Sequence, residues 1–172
     1  YHQKLLGEHC PAYMGLADIH QYPPSRQALE SSDLVIMVGG RLDNQMNFGN
    51  PPLFPRTLNL VCVNGSHEEL EMNRAADQVL LSDPLAFFNA LLQHHTDTPW
   101  ETPKAWYAQN RAWRQAWVEH SLAELAQDSA QAAATGGKMH PLQLSLDVQA
   151  QMQAQDWLVF DGGNTHFWSE IA

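Results

Sequence analysis

Three scarcities narrow this chain before any motif is considered. The first is length of apolar sequence: no run approaches the roughly 20 residues that a membrane-spanning helix needs, so no membrane partner is expected. The second is positive charge. Nine Lys and Arg stand against nineteen Asp and Glu, a formal net charge of −10. Affinity for a polyanion comes mostly from cations that neutralise phosphates, so no nucleic-acid partner is expected either. The third is cysteine: Cys10 and Cys62 alone give no disulfide framework and fit a reducing, cytoplasmic compartment. Histidine is plentiful, at nine residues, but no His-x-x-x-His or Cys-x-x-Cys pair occurs. Adjacent His94 and His95 would point about 100° apart on a helix, so no protein-ligated metal is expected within this chain. The opening YHQKLLGEHC has no apolar signal core. It begins with Tyr1 rather than Met, which suggests a preceding segment.

What is present falls into three parts. Residues 1–95 alternate strand and helix patterns. Asp33 to Gly40 (DLVIMVGG), Thr57 to Asn64 (TLNLVCVN) and Asp77 to Asp83 (DQVLLSD) are uninterrupted apolar runs. Such runs suit strands of a parallel sheet covered on both faces. Helices are predicted over Ser25 to Ser32, over Ser66 to Ala75 with a Ser66/Glu69 capping box, and from Asp83, with Pro84 at the first helical position. The rhythm is βαβ, hence α/β, part of a doubly wound parallel sheet.

Residues 96–137 differ. A Pro- and Thr-rich connector leads into a long helix, where Trp106, Asn110, Trp113 and Trp117 share one face. That stripe reads either as a packing surface or as a binding platform. QDSAQAAATGGK reads as a loose linker. Residues 138–172 hold a short helix after His140-Pro141, then a strand pattern, DWLVFDGG, that ends in a helix start. That strand has no successor to pair with, so the architecture reads as cut there.

Two glycine corners follow apolar runs, VGGRLDN and FDGGNTHFW. At such a corner the backbone can take positive φ and a ligand can approach closely. Free N–H groups of a helix start favour an anion. In the first corner Arg41 could pair with a diphosphate through two bonds, and Asp43 could accept from a hydroxyl. In the second, Asn164 and Thr165 offer an amide and a hydroxyl. On the residues alone, the first corner also reads as a plain turn with a solvated arginine, and in the second Asn164 and Thr165 also read as helix N-cap residues. Neither corner has a Walker lysine or a complete Gly-x-Gly-x-x-Gly.

The order of motifs carries more than any single one. YMGLA, LESSDLVIMVGGRLDN, LNLVCVNGSHEELEMNRAADQVLLSDP, the long helix, HPLQLSLDVQ and DWLVFDGGNTHFW follow one another. This succession resembles the thiamine-diphosphate-dependent decarboxylases and carboligases of the acetolactate synthase type, over nearly the whole chain. The resemblance implies the latter half of a central α/β domain at 1–95, an interdomain connection at 96–137, and the start of a diphosphate-binding domain at 138–172. It implies a parent enzyme that breaks or forms carbon–carbon bonds in 2-keto acids or aldehydes, with thiamine diphosphate and Mg2+.

By the same resemblance, Gly163, Asn164 and Thr165 would face thiamine diphosphate, with His166 and Trp168 following in the same segment. Gly39, Gly40, Arg41, Asp43 and Asp83, with Gly15 and Leu16 nearby, would face a central-domain nucleotide, FAD or ADP. Asn64 and Gln45 stand where flavin-binding members have an aspartate and an arginine, so an empty or vestigial nucleotide site is expected. The activating glutamate and the magnesium motif of the family lie in stretches this chain lacks. No catalytic residue is therefore assigned, and the chain alone is expected to be inactive. Its partners would be the remaining domains, a small-molecule substrate and further copies of itself. Two other readings compete: a freestanding nucleotide-binding module built on VGGRLDN, and a non-catalytic interaction domain that uses the tryptophan helix.

Overall fold

The computed structural model describes residues 10, 12–15, 22–70, 72–153, 155–159, 163, 168 and 169. It divides into two compact units, Tyr1–Trp113 and Arg114–Ala172.

In the first unit, helix α1 (Pro23–Glu30) precedes three strands: β1 (Leu34–Val38), β2 (Asn59–Asn64) and β3 (Gln78–Leu81). They form one parallel sheet in the order β1-β2-β3. The α/β expectation holds, and all three apolar runs are strands. Helix α1 starts two residues earlier than expected because Pro23 and Pro24 suit its first turn. It ends earlier because Ser31 and Ser32 turn their hydroxyls back onto the Gln27 and Ala28 carbonyls, both at 2.7 Å.

Paired residues of parallel strands share a face. Val35 and Met37 on β1 therefore lie beside Leu60 and Cys62 on β2. Over them folds the loop between the two strands, which contributes Leu42, Leu53, Phe54 and Leu58; Leu70 completes the cluster. The loop is tied down by Arg74. Its guanidinium donates to the carbonyls of Gly49 and Phe54 at 3.1 Å, Pro55 at 3.3 Å and Leu58 at 3.5 Å. Burial pushes the Cys62 thiol above its usual range, an effect that Arg74 partly opposes. Cys62 thus behaves as a small core side chain rather than a nucleophile.

The predicted helix over 66–75 does not form. Among the described residues of that stretch only a short 3₁₀ turn, His67–Glu69, is present, and the Ser66 side chain makes no cap. Glu69 is drawn away from the box by a distant arginine, described below. Asn73 then takes a left-handed conformation (φ 67°) and donates to the Leu42 carbonyl at 2.7 Å. A long-range contact has overridden a local signal.

Helix α2 (Pro84–Asp97) begins where expected. Asp83 Oδ1 accepts from the Leu85 and Ala86 N–H groups at 2.9 and 3.1 Å. Helix α3 (Lys104–Thr135) runs eight residues past the expected start of the linker. Its alanine-rich end is strongly helix-favouring. It stops only at Gly136, left-handed at φ 69°, after which the Gly137 N–H closes on the Ala132 carbonyl at 2.8 Å.

In the second unit, helix α4 (Pro141–Gln151) forms as predicted. His140 caps it: its Nδ1 accepts from the Leu142 N–H at 3.2 Å, while its Nε2 lies 3.7 Å from Asp128. The expected strand at DWLVF does not form over residues 156–159. Among the described residues no strand lies beside it to complete a ladder, and Trp157 is 92% exposed.

Candidate functional site at the carboxyl rim of the sheet

The carboxyl ends of parallel strands form a crevice where open α/β sheets hold ligands. Here the rim is made by residues 39–43 after β1, Asn64 at the end of β2 with 65–69 after it, and 82–84 after β3. Gly39 is left-handed at φ 66°, and its N–H donates to the Val63 carbonyl at 2.8 Å, prolonging the ladder by one bond. A Cβ on Gly40 would crowd the Met37 side chain at 3.0 Å. The rim is knit together sideways. Asn64 Nδ2 reaches the Gly40 carbonyl at 3.5 Å, and Asn64 Oδ1 accepts from the Ser66 N–H at 3.0 Å. Pro84 comes within 3.7 Å of where a Gly39 Cβ would sit.

The polar side chains singled out in this corner all have partners within the chain. Arg41 Nη2 pairs with Glu69 Oε1 at 2.8 Å. Asp43 Oδ1 accepts from the Gln45 N–H at 3.0 Å, a local turn bond. Asp83 caps α2. For a bound nucleotide, the fit is poor. The arginine that would read a diphosphate already holds a carboxylate, and Asp43 and Asp83 each use one oxygen on backbone donors. Gly15 is left-handed at φ 89°, with the Tyr22 ring filling the space a side chain would need. Leu16 lies outside the described residues.

Glu69 is the rim residue that the sequence reading misplaced. The available signal was topological. In a parallel sheet, the residues just after adjacent strands meet, so an arginine after β1 faces whatever follows β2.

At the second corner, Gly163 has φ 105°, and among the described residues no heavy atom lies within 4 Å of where its Cβ would be. A backbone in that region favours glycine. Asn164, Thr165 and His166 lie outside the described residues. Trp168 presents its ring to His140, with centroids 5.0 Å apart. Beside α4, a shallow groove of about 540 Å³ is lined by Asp147, Val148, Met152, Asp156, Trp157 and Leu158, among others.

On α3, Trp106 is exposed, Trp113 and Trp117 are half-buried, and Asn110 is buried. Asn110 Nδ2 donates to the Trp106 carbonyl at 3.0 Å. No three His, Cys, Asp or Glu side chains gather as a metal site among the described residues. No described helix is long and apolar enough to cross a membrane.

Comparison with known proteins agrees with the order of motifs. A family model described as "Thiamine pyrophosphate enzyme, central domain" matches residues 1–91. The 2-hydroxyacyl-CoA lyase 1 of Mus musculus is 27% identical over 139 residues, which is 81% of this chain and 23% of the lyase. The Homo sapiens protein of the same name is 26% identical over the same shares. The chain thus spans about a quarter of the length of these relatives.

Proposed function

From the premise that this chain belongs to the thiamine pyrophosphate enzymes, by way of their central domain, we propose that it is one stretch of a thiamine-diphosphate-dependent lyase. The full enzyme would cleave the carbon–carbon bond beside the hydroxyl of a 2-hydroxyacyl-CoA, the substrate class named for its relatives. A 2-keto acid or aldehyde would undergo related chemistry. One observation carries this reading furthest. The likeness to the lyases covers 139 residues, more than the 91 matched by the central-domain model, so it reaches past that domain.

In this reading, residues 1–95 are the latter half of the central domain, 96–137 the connection, and 138–172 the start of the diphosphate-binding domain. Gly163, with Asn164 and Thr165, would hold thiamine diphosphate, and Mg2+ would offset the charge of its diphosphate. When bound, the cofactor supplies a thiazolium electron sink for the bond cleavage. The contribution of this chain is positional. Glycine at 163 lets the backbone approach the diphosphate, and the His140 cap fixes the start of α4. On this reading the catalytic groups belong to the rest of the enzyme, and the chain by itself would be inactive. The remaining domains and further copies would complete the site.

The test is calorimetric titration of the 172-residue chain with thiamine diphosphate and Mg2+, beside an assay of the full-length enzyme on a 2-hydroxyacyl-CoA. The expected result is no binding tighter than millimolar by the chain, and cofactor-dependent cleavage by the full enzyme. Micromolar binding by the chain, or no cleavage by the full enzyme, contradicts the proposal.

A further inference from the structure

We propose that Glu69 is an internal substitute for a ligand's anion at the first glycine corner, and that it makes the corner select against diphosphate-bearing ligands. The inference rests on rim geometry and does not depend on the reaction proposed above.

The corner has two features an anion could use: Gly39 is left-handed, and Arg41 stands two residues on. Yet the guanidinium is turned onto Glu69 Oε1 at 2.8 Å. The two partners differ in exposure. The Arg41 side chain is 63% exposed, whereas that of Glu69 is only 16% exposed. Glu69 Oε2 is fully buried and has no hydrogen-bond partner among the described residues. The carboxylate is therefore the fixed member of the pair, and the arginine is the member free to reorient. A diphosphate that drew Arg41 outward would leave Glu69 uncompensated and still close to the incoming charge. Like charges a few ångströms apart at a partly buried site repel strongly. Asp43 and Asp83 add negative charge on the same rim, and the Arg74 guanidinium is engaged by the carbonyls of the covering loop.

The discriminating variant is Glu69→Gln. It keeps an oxygen for Arg41 and the same volume while removing the charge, so the fold should be retained. Equilibrium dialysis of the 172-residue chain against inorganic pyrophosphate, ADP and adenosine reads the outcome, with circular dichroism confirming folding. We expect E69Q to bind pyrophosphate and ADP at least tenfold more tightly than the parent chain, with adenosine unchanged. The double variant E69Q/R41Q should lose that gain. Equal binding of pyrophosphate and ADP by parent and E69Q would overturn the proposal. So would an equal gain for adenosine, or a gain that survives in the double variant.

Discussion

Strands β2 and β3 lie side by side in one parallel sheet and are similarly apolar, yet their surroundings are opposite. On β2, Leu60, Cys62 and Val63 are buried. On β3, Val79, Leu80 and Leu81 are all exposed, and the helix that follows, α2, has no buried residue. Register shows that this is not a matter of facing the wrong way. Val79 pairs with Cys62, so the two share a face. What differs is cover. The 39–58 loop folds Leu42, Leu53 and Phe54 across β1 and β2 and does not cover β3. Hydrophobicity makes burial favourable, but a neighbour has to supply it. An uncovered apolar strand and helix is the kind of surface that another segment could cover. A larger enzyme, as proposed, would cover it.

The sharpest way to break that comparison is to truncate one apolar side chain on each side of it. Phe54 is 0% exposed in the middle of the covered cluster. Phe54→Ala should cost about 3–5 kcal/mol, because it removes buried area and leaves a cavity. Leu81 is 62% exposed, and Leu81→Ala should change stability by no more than about 0.5 kcal/mol. Urea denaturation of the two variants measures both. Equal losses would mean that β3 is covered in solution and that the contrast is false.

A smaller effect is expected at Arg74, which secures the covering loop rather than filling the core. Arg74→Ala leaves four loop carbonyls without their charged donor and should cost about 2–3 kcal/mol. Arg74→Lys should recover little of this, since a single ammonium cannot reproduce the guanidinium fork. Full recovery by lysine, in the same denaturation experiment, would show that charge alone holds the loop.

These contrasts explain how much was legible in the sequence. The three strands were, because each is a continuous apolar run bounded by breakers and needs no distant partner to be recognised. The start of α2 was legible for the same reason: an aspartate followed by proline is a local signal. The capping box at Ser66 was not, because Glu69 answers to Arg41, 28 positions away, and only the parallel crossover brings them together. The end of α3 was misread because two glycines outweighed the alanines before them. DWLVF has strand composition, but composition cannot supply the strand it would pair with. The first corner's glycines were recognisable from sequence, whereas the carboxylate that occupies its arginine emerged only from the fold.

The finest test of local against distant control lies on the uncovered side, at Asp83. Its carboxylate accepts from two N–H groups of the first turn of α2. Asp83→Ala should cost about 1 kcal/mol, the usual value of a side-chain cap, and Asp83→Asn should restore most of it, because an amide oxygen caps about as well. The charge itself adds only a few tenths to the helix dipole at an exposed position. The Ala–Asn difference separates this structural duty from any ligand duty at the rim. If Asp83→Asn is as damaging as Asp83→Ala in thermal denaturation, the carboxylate is held by something other than the cap, and α2 is not the self-starting element that its sequence declares.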